Sequence, residues 1–180
     1  MNRKLKLEEL DRINIEAFKS SIKSPIIVIL NDIRSLQNIG SIFRTSDAFR
    51  IQEIWLQGIT AQPPHREINK TALGATNSVS WKYFETEKEI IEAAQKLEVD
   101  LFSIEQTTKS IMLNKFSLDN DKTYGLVFGN EVNGVSDYII GESKACIEIP
   151  QFGTKHSLNV SISVGITLWE MVRSGNLTTE

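Results

Sequence analysis

The 180-residue sequence holds a single cysteine, Cys146. That excludes an internal disulfide framework and any metal site built from several thiolates. A lone cysteine beside an apolar run reads as a small buried hydrophobe in a reducing, cytoplasmic setting. Two histidines, His65 and His156, are too few for a His-rich cage, so no metal is expected. No apolar run reaches the ~18 residues of a membrane span. The charged start MNRKLKLEELDR is followed by no apolar stretch with a small-residue cleavage site, so neither a membrane anchor nor a secretory signal is expected. A charge excess is missing too: 20 basic and 23 acidic residues leave a net charge of -3. This excludes a globally basic nucleic-acid binder and leaves room for a local basic patch.

What is present is globular. The composition, 41% hydrophobic and 24% charged, lies near the average of folded domains, and the length fits about one domain. No repeat or low-complexity tract interrupts it. Residues 7–20 read as an exposed N-terminal helix. IIVILN (26–31) is a continuous apolar run, the pattern of a strand buried on both faces. A helical pattern follows over 38–50, then a strand at 53–58. A long connection (59–78) carries Pro63-Pro64 and a short helix near 66–72. TEKEIIEAAQKL (86–97) is an amphipathic helix, and strands are expected at 100–106, 124–130 and 146–150. Strands separated by helices argue for an α/β fold with a mostly parallel sheet and helices on both faces. The segment 161–169 is ambiguous. Ile162, Val164, Ile166 and Leu168 alternate as in a strand, while Val160, Val164, Leu168 and Val172 sit at helical spacing.

Ligands of open α/β sheets bind beyond the carboxyl ends of the strands, so the residues after each strand carry the chemistry. The first strand leads into Asn31-Asp32-Ile33-Arg34 and then Asn38-Ile39-Gly40, with Asn38 suited to cap the next helix and Arg44 one to two turns into it. Gly129-Asn130-Glu131-Val132-Asn133-Gly134 follows YGLVF without the Lys-Ser/Thr of a phosphate loop. CIEIP leads into Gln151-Phe152-Gly153-Thr154-Lys155-His156-Ser157-Leu158-Asn159. His156 beside Ser157 is no hydrolase signature, since no G-x-S-x-G elbow exists, and no dinucleotide fingerprint supports a dehydrogenase. Each loop alone is a weak signal; their combination, each polar, Gly-containing and with an Asn, is informative.

NIGSIFRTSDAFR (38–50), LVFGNEVNGVS (126–136) and IEIPQFGTKHSLNVSISVGITLWE (147–170) resemble, in order, the three motifs of the SpoU or TrmH-like RNA 2′-O-ribose methyltransferases of the SPOUT superfamily. Together they cover about 48 of the 180 residues. The resemblance implies an α/β domain over 25–175 with a C-terminal deep trefoil knot, after an N-terminal helical extension over 1–24. True knots are rare, so no pattern argument would produce one. It also implies a helix over 157–173 and an obligate homodimer through that helix, where Ser161, Ser163 and Gly165 allow close approach. The cofactor implied is S-adenosylmethionine.

By motif position the resemblance assigns catalytic roles to Asn38, Arg44, Glu131 and Asn159. Cofactor contacts fall at Ile104, Gly129, Ile149, Ser157 and Leu158. Substrate contacts fall at Asn31, with Arg34, Lys155 and His156 as phosphate-binding candidates; Arg50, Arg66, Lys70, Lys4 and Lys6 extend the expected RNA patch. A guanidinium stays protonated in almost any setting. Arg44 is therefore expected to grip a substrate phosphate rather than to act as a base, with Glu131 fixing it by a charge-assisted bond. One departure is Gln151, where the family often has Met. Without a separate N-terminal substrate domain, the chain resembles the minimal tRNA enzymes, and tRNA is expected over rRNA. The alternatives are an rRNA 2′-O-methyltransferase, a non-catalytic RNA-binding module of the same fold, and, ranked lower, a base methyltransferase.

Overall fold

The computed structural model describes residues 2–119 and 121–175. The apolar run builds β1 (Ser24–Asn31), in which every residue from Ile26 to Asn31 is buried. Successive side chains of a strand point to opposite faces. Ile26, Val28 and Leu30 enter one core cluster, and Ile27 and Ile29 enter the other. A strand covered on both sides needs apolar residues at every position.

Six further strands flank it: β2 (Ile51–Gln57), β3 (Trp81–Phe84), β4 (Val99–Ile104), β5 (Ile111–Met112), β6 (Thr123–Phe128) and β7 (Ala145–Glu148). The sheet order is β3-β2-β1-β6-β4-β7-β5, and every neighbouring pair is parallel. Among the described residues seven α-helices accompany the sheet: α1 (Ile15–Ser20), α2 (Leu36–Ala48), α3 (Arg66–Ala72), α4 (Ala75–Ser78), α5 (Glu87–Lys96), α6 (Asp137–Glu142) and α7 (Val160–Ser174). Ile42 and Phe43 of α2, Ile68 of α3, and Val164 and Leu168 of α7 pack on one face. Ile90 and Ile91 of α5 and Ile139 of α6 cover the other. The α/β class, the parallel sheet and the helices on both faces are as expected.

Four local expectations need correction. The N-terminal helix over 7–20 is broken into a 3-10 turn at Leu7–Leu10 and α1, with Asp11 left-handed at φ 46° between them. Only Phe18 of α1 is buried, so no continuous apolar stripe holds a longer helix together. The edge strands β3 and β5 were not anticipated. One has half-buried or exposed residues throughout and the other is two residues long, so neither shows a periodic apolar signal. Asn38 does not cap α2; Ser35 does, accepting from the Asn38 N–H at 3.2 Å. Finally, α7 begins at Val160 behind the cap Asn159, leaving 157–159 outside the helix.

The ambiguous segment is helical because it has two apolar faces. Val160, Val164, Leu168 and Met171 are buried, while Ile162, Ile166 and Trp169 are exposed. Interleaved, the two sets mimic the alternation of a strand.

Helices α2 and α3 meet at Gly40. A Cβ there would lie 2.1 Å from the Thr71 hydroxyl oxygen and 2.2 Å from the Ile68 carbonyl oxygen. Because one of these is backbone, the helices must separate to admit a methyl. Gly40→Ala is expected to destabilise the fold by roughly 1–3 kcal/mol, read as a lower urea midpoint; an unchanged midpoint would contradict this packing.

Candidate active site

A parallel sheet sends the carboxyl ends of its strands to one edge. At the tips of β4, β6 and β7 that edge encloses a cavity of about 740 Å³, a size suited to a small-molecule ligand. Ile104, Phe128, Ile147 and Ile149 supply apolar wall; Glu105, Glu131, Asp137 and Glu148 make its polar lining acidic. All five residues expected to contact a cofactor, Ile104, Gly129, Ile149, Ser157 and Leu158, line this one cavity, together with Glu131 and Asn159.

The loop after β6 doubles back tightly. The Gly134 N–H donates to the Asn130 carbonyl at 2.9 Å. A Cβ on Gly129 would sit 2.0 Å from the carbonyl carbon of Gly134, so this turn admits only glycine there. Asn130 fixes the loop to the end of β1, its Nδ2 donating to the Asp32 carbonyl at 2.7 Å. Its Oδ1 accepts from the N–H groups of Val132 and Asn133 at 2.9 and 3.1 Å. Glu105, at the tip of β4, accepts from the Val135 N–H at 3.1 Å and from its neighbour Gln106 at 2.9 Å.

Glu131 leans from this loop onto the start of α2. Its carboxylate accepts from the backbone N–H of Arg34 at 3.0 Å and of Ser35 at 3.1 Å, and from Asn38 Nδ2 at 3.2 Å. Two of these donors, at the cap Ser35 and the residue before it, sit just ahead of a helix, at the end that favours an anion. Asn38 Oδ1 in turn accepts from Asn159 Nδ2 at 3.1 Å. Glu131 and Asn159 of the cavity lining are thus joined through Asn38, itself outside the lining, in one chain of hydrogen bonds linking three motifs. The expected bond from Glu131 to Arg44 is absent: Arg44 is exposed on α2, and the carboxylate is already satisfied by shorter-range donors.

The remaining expected residues lie apart from the cavity. Asn31 is buried, with Nδ2 donating to Gln57 Oε1 at 2.7 Å and Oδ1 accepting from the Ser136 N–H at 3.1 Å. It braces the sheet under the cavity, and its amide is engaged on both sides. The Arg34 side chain, Lys155 and His156 are exposed. The His156 carbonyl accepts from Gln106 Nε2 at 2.8 Å, tying the loop before α7 to the tip of β4. Of the wider basic patch, Lys70 is paired with Glu67 at 2.7 Å. Glu105, Gln106 and Gln57 were not anticipated. A strand-tip position was their only signal, and it does not distinguish a brace from a solvated residue. Among the described residues no group of three His, Cys, Asp or Glu could hold a metal, and no helix is long and apolar enough to cross a membrane.

The model of the SpoU rRNA Methylase family matches residues 25–169. A Borreliella burgdorferi protein named an uncharacterized tRNA/rRNA methyltransferase is 34% identical over 98% of this chain and 76% of its own. A Thermus thermophilus tRNA (guanosine(18)-2′-O)-methyltransferase is 28% identical over 92% of this chain and 83% of its own. The crystal structure of an AdoMet-bound rRNA methyltransferase from Sinorhizobium meliloti superposes with a TM-score of 0.77 at 29% identity, over 88% of this chain. This chain spans 59% of the length of that one. The chain belongs to the SpoU rRNA Methylase family.

Partial burial pushes the Glu131 carboxyl up, but the N–H groups of Arg34, Glu131 and Ser35 and the Asn38 amide outweigh it, and the group sits below its ordinary value. Its stabilisation is complete above the unfolded-state pKa of about 4.3 and is lost as pH falls through the lower folded-state value. Glu131→Gln is therefore expected to melt below the parent at pH 7, with the gap narrowing as pH falls below about 4.3. A gap that stays constant down to the acid limit of folding would show that the charge is not what binds this loop to α2.

Proposed function

We propose that this chain transfers the methyl group of S-adenosylmethionine to a ribose 2′-hydroxyl in RNA, with tRNA as the substrate. The observation that carries this is the convergence of the strand-tip loops on one cavity, with Glu131 and Asn159 of its lining joined through Asn38. The cavity suits the cofactor chemically. Ile104, Ile149 and Leu158 offer apolar surface to a purine, and the acidic lining complements a cation. The chemistry available from S-adenosylmethionine there is a methyl group already activated by its sulfonium.

What remains for the chain is to aim the acceptor hydroxyl. Asn38 uses one amide N–H on Glu131 and one lone pair on Asn159; the second N–H and second lone pair are available to a ribose hydroxyl. Arg44 grips a phosphate beside the acceptor nucleotide with its planar guanidinium fork, and the hydroxyl proton leaves to water or a phosphate oxygen. Arg34, Lys155 and His156 add phosphate contacts. The tRNA assignment draws on the Thermus relative, which this chain matches over 83% of that protein; rRNA is the alternative, after the Sinorhizobium structure.

The reading includes a cytoplasmic homodimer built on α7. Its outward stripe of Ile162, Ile166 and Trp169, respectively 54%, 38% and 59% exposed, is apolar surface suited to a second copy. It includes the knot as well. The sheet order supports it: β5 belongs to the connection between β4 and β6, yet the later strand β7 lies between β4 and β5. Residues 25–175 form the methyltransferase domain, with 1–24 an extension.

Arg44→Lys keeps the charge and loses the planar fork; it is expected to lower turnover ~100-fold or more while S-adenosylmethionine still binds. The assay is transfer of labelled methyl to size-fractionated RNA, scored for resistance of the linkage to alkali. Parent-like turnover in Arg44→Lys removes the residue from the mechanism. Label only in rRNA overturns the tRNA assignment, and alkali-sensitive linkages overturn ribose methylation. Trp169→Asp is expected to yield a monomer by sedimentation; an intact dimer would move the interface off α7.

A further inference from the structure

Phe152 stands 97% exposed and belongs to neither core cluster. It lies in the loop from β7 to α7, between Gln151 and Ser157, both of which line the cavity. The loop is held at its far side: the His156 carbonyl accepts from Gln106, and Asn159 donates to Asn38. A large apolar ring thus stands in water one residue along the chain from the lining of the candidate site. Its exposed neighbours in the loop include Thr154, Lys155 and His156. Cores of protein interfaces are depleted in lysine, whereas an aromatic ring beside cations is how single-stranded RNA is held without regard to sequence.

We infer that Phe152 is a stacking platform for a base of the RNA substrate, at or next to the nucleotide whose ribose enters the cavity. The inference rests on the RNA methyl transfer proposed above. A nucleotide that brings its 2′-hydroxyl into a recess gives up stacking with its neighbours, and the ring at the mouth replaces that contact. Every base has a π-face, so Phe152 sets affinity and placement rather than base identity, while Lys155 meets an adjoining phosphate.

The test uses the full chain. Phe152→Trp carries a reporter whose emission is followed as bulk tRNA, and separately bulk rRNA, is added with S-adenosylhomocysteine present. The parent protein, titrated in parallel, supplies the background of Trp55, Trp81 and Trp169. Quenching beyond that background is expected. Phe152→Leu keeps an apolar side chain and loses the π-face; it is expected to raise the KM for RNA about 10-fold or more, more than it lowers kcat, with S-adenosylmethionine affinity kept and Phe152→Tyr restoring the parent KM. Parent-level quenching together with a parent-like KM in Phe152→Leu overturns the inference. A dimer that dissociates in Phe152→Leu also overturns it, because the ring then belongs to the contact between copies. If the parent binds RNA but transfers no methyl, the methyl-transfer reading fails while the quenching still decides the stack. If it binds neither RNA, both fail.

Discussion

A sheet whose neighbouring strands are all parallel has no hairpins, so every connection must cross over and every strand tip points to the same edge. The rest of the molecule depends on that constraint. Placing β6 between β1 and β4 brings together, at the tips of adjacent strands, segments that are distant in sequence. The polar loops after these strands then meet without any one of them having to be long. Apolar residues do the holding below and polar residues gather above, and the boundary falls at Asn31, the last residue of β1.

The loops are welded to one another rather than merely adjacent. Glu131 binds the start of α2, Asn130 binds the end of β1, Glu105 binds Val135, and Gln106 binds the loop before α7. Each bond crosses between two connections. The carboxylate of Glu131 takes the N–H of the cap Ser35 and of Arg34 before it, so one ionised side chain fixes the entry to α2 against the loop after β6.

The parts of this arrangement that the sequence made legible are those where one residue's environment is set by its neighbours along the chain. The run Ile26–Leu30 declares a doubly buried strand, the amphipathic pattern of 86–97 declares α5, and three motifs in order declare the family. Less legible were features decided by contacts across the fold. Asn38 has the chemistry of a cap, yet Ser35 takes that place and frees Asn38 to bridge Glu131 and Asn159. Asn31 has the chemistry of a ligand contact, yet Gln57 and Ser136 engage it. The pairing of Glu131 with Arg44 was inferred from charge alone, and backbone donors from a helix start were closer. In α7, apolar residues on two faces of one helix produced the period of a strand, and only three-dimensional packing separates the faces.

The same strand order has a consequence in time. Leu30 lies beside Leu56 on one side and Phe128 on the other, so half of β1's hydrogen bonding is completed early and half only after nearly a hundred more residues exist. During synthesis β1, β2 and β3 can assemble into a small sheet, but its β1 edge keeps a row of unsatisfied N–H and C=O groups until residue 128 has left the ribosome. An open apolar edge is a template for wrong partners, and long-range parallel pairing is slow to form. The interval between the emergence of β1 and that of β6 is therefore when the nascent chain is most exposed to aggregation and most in need of a chaperone.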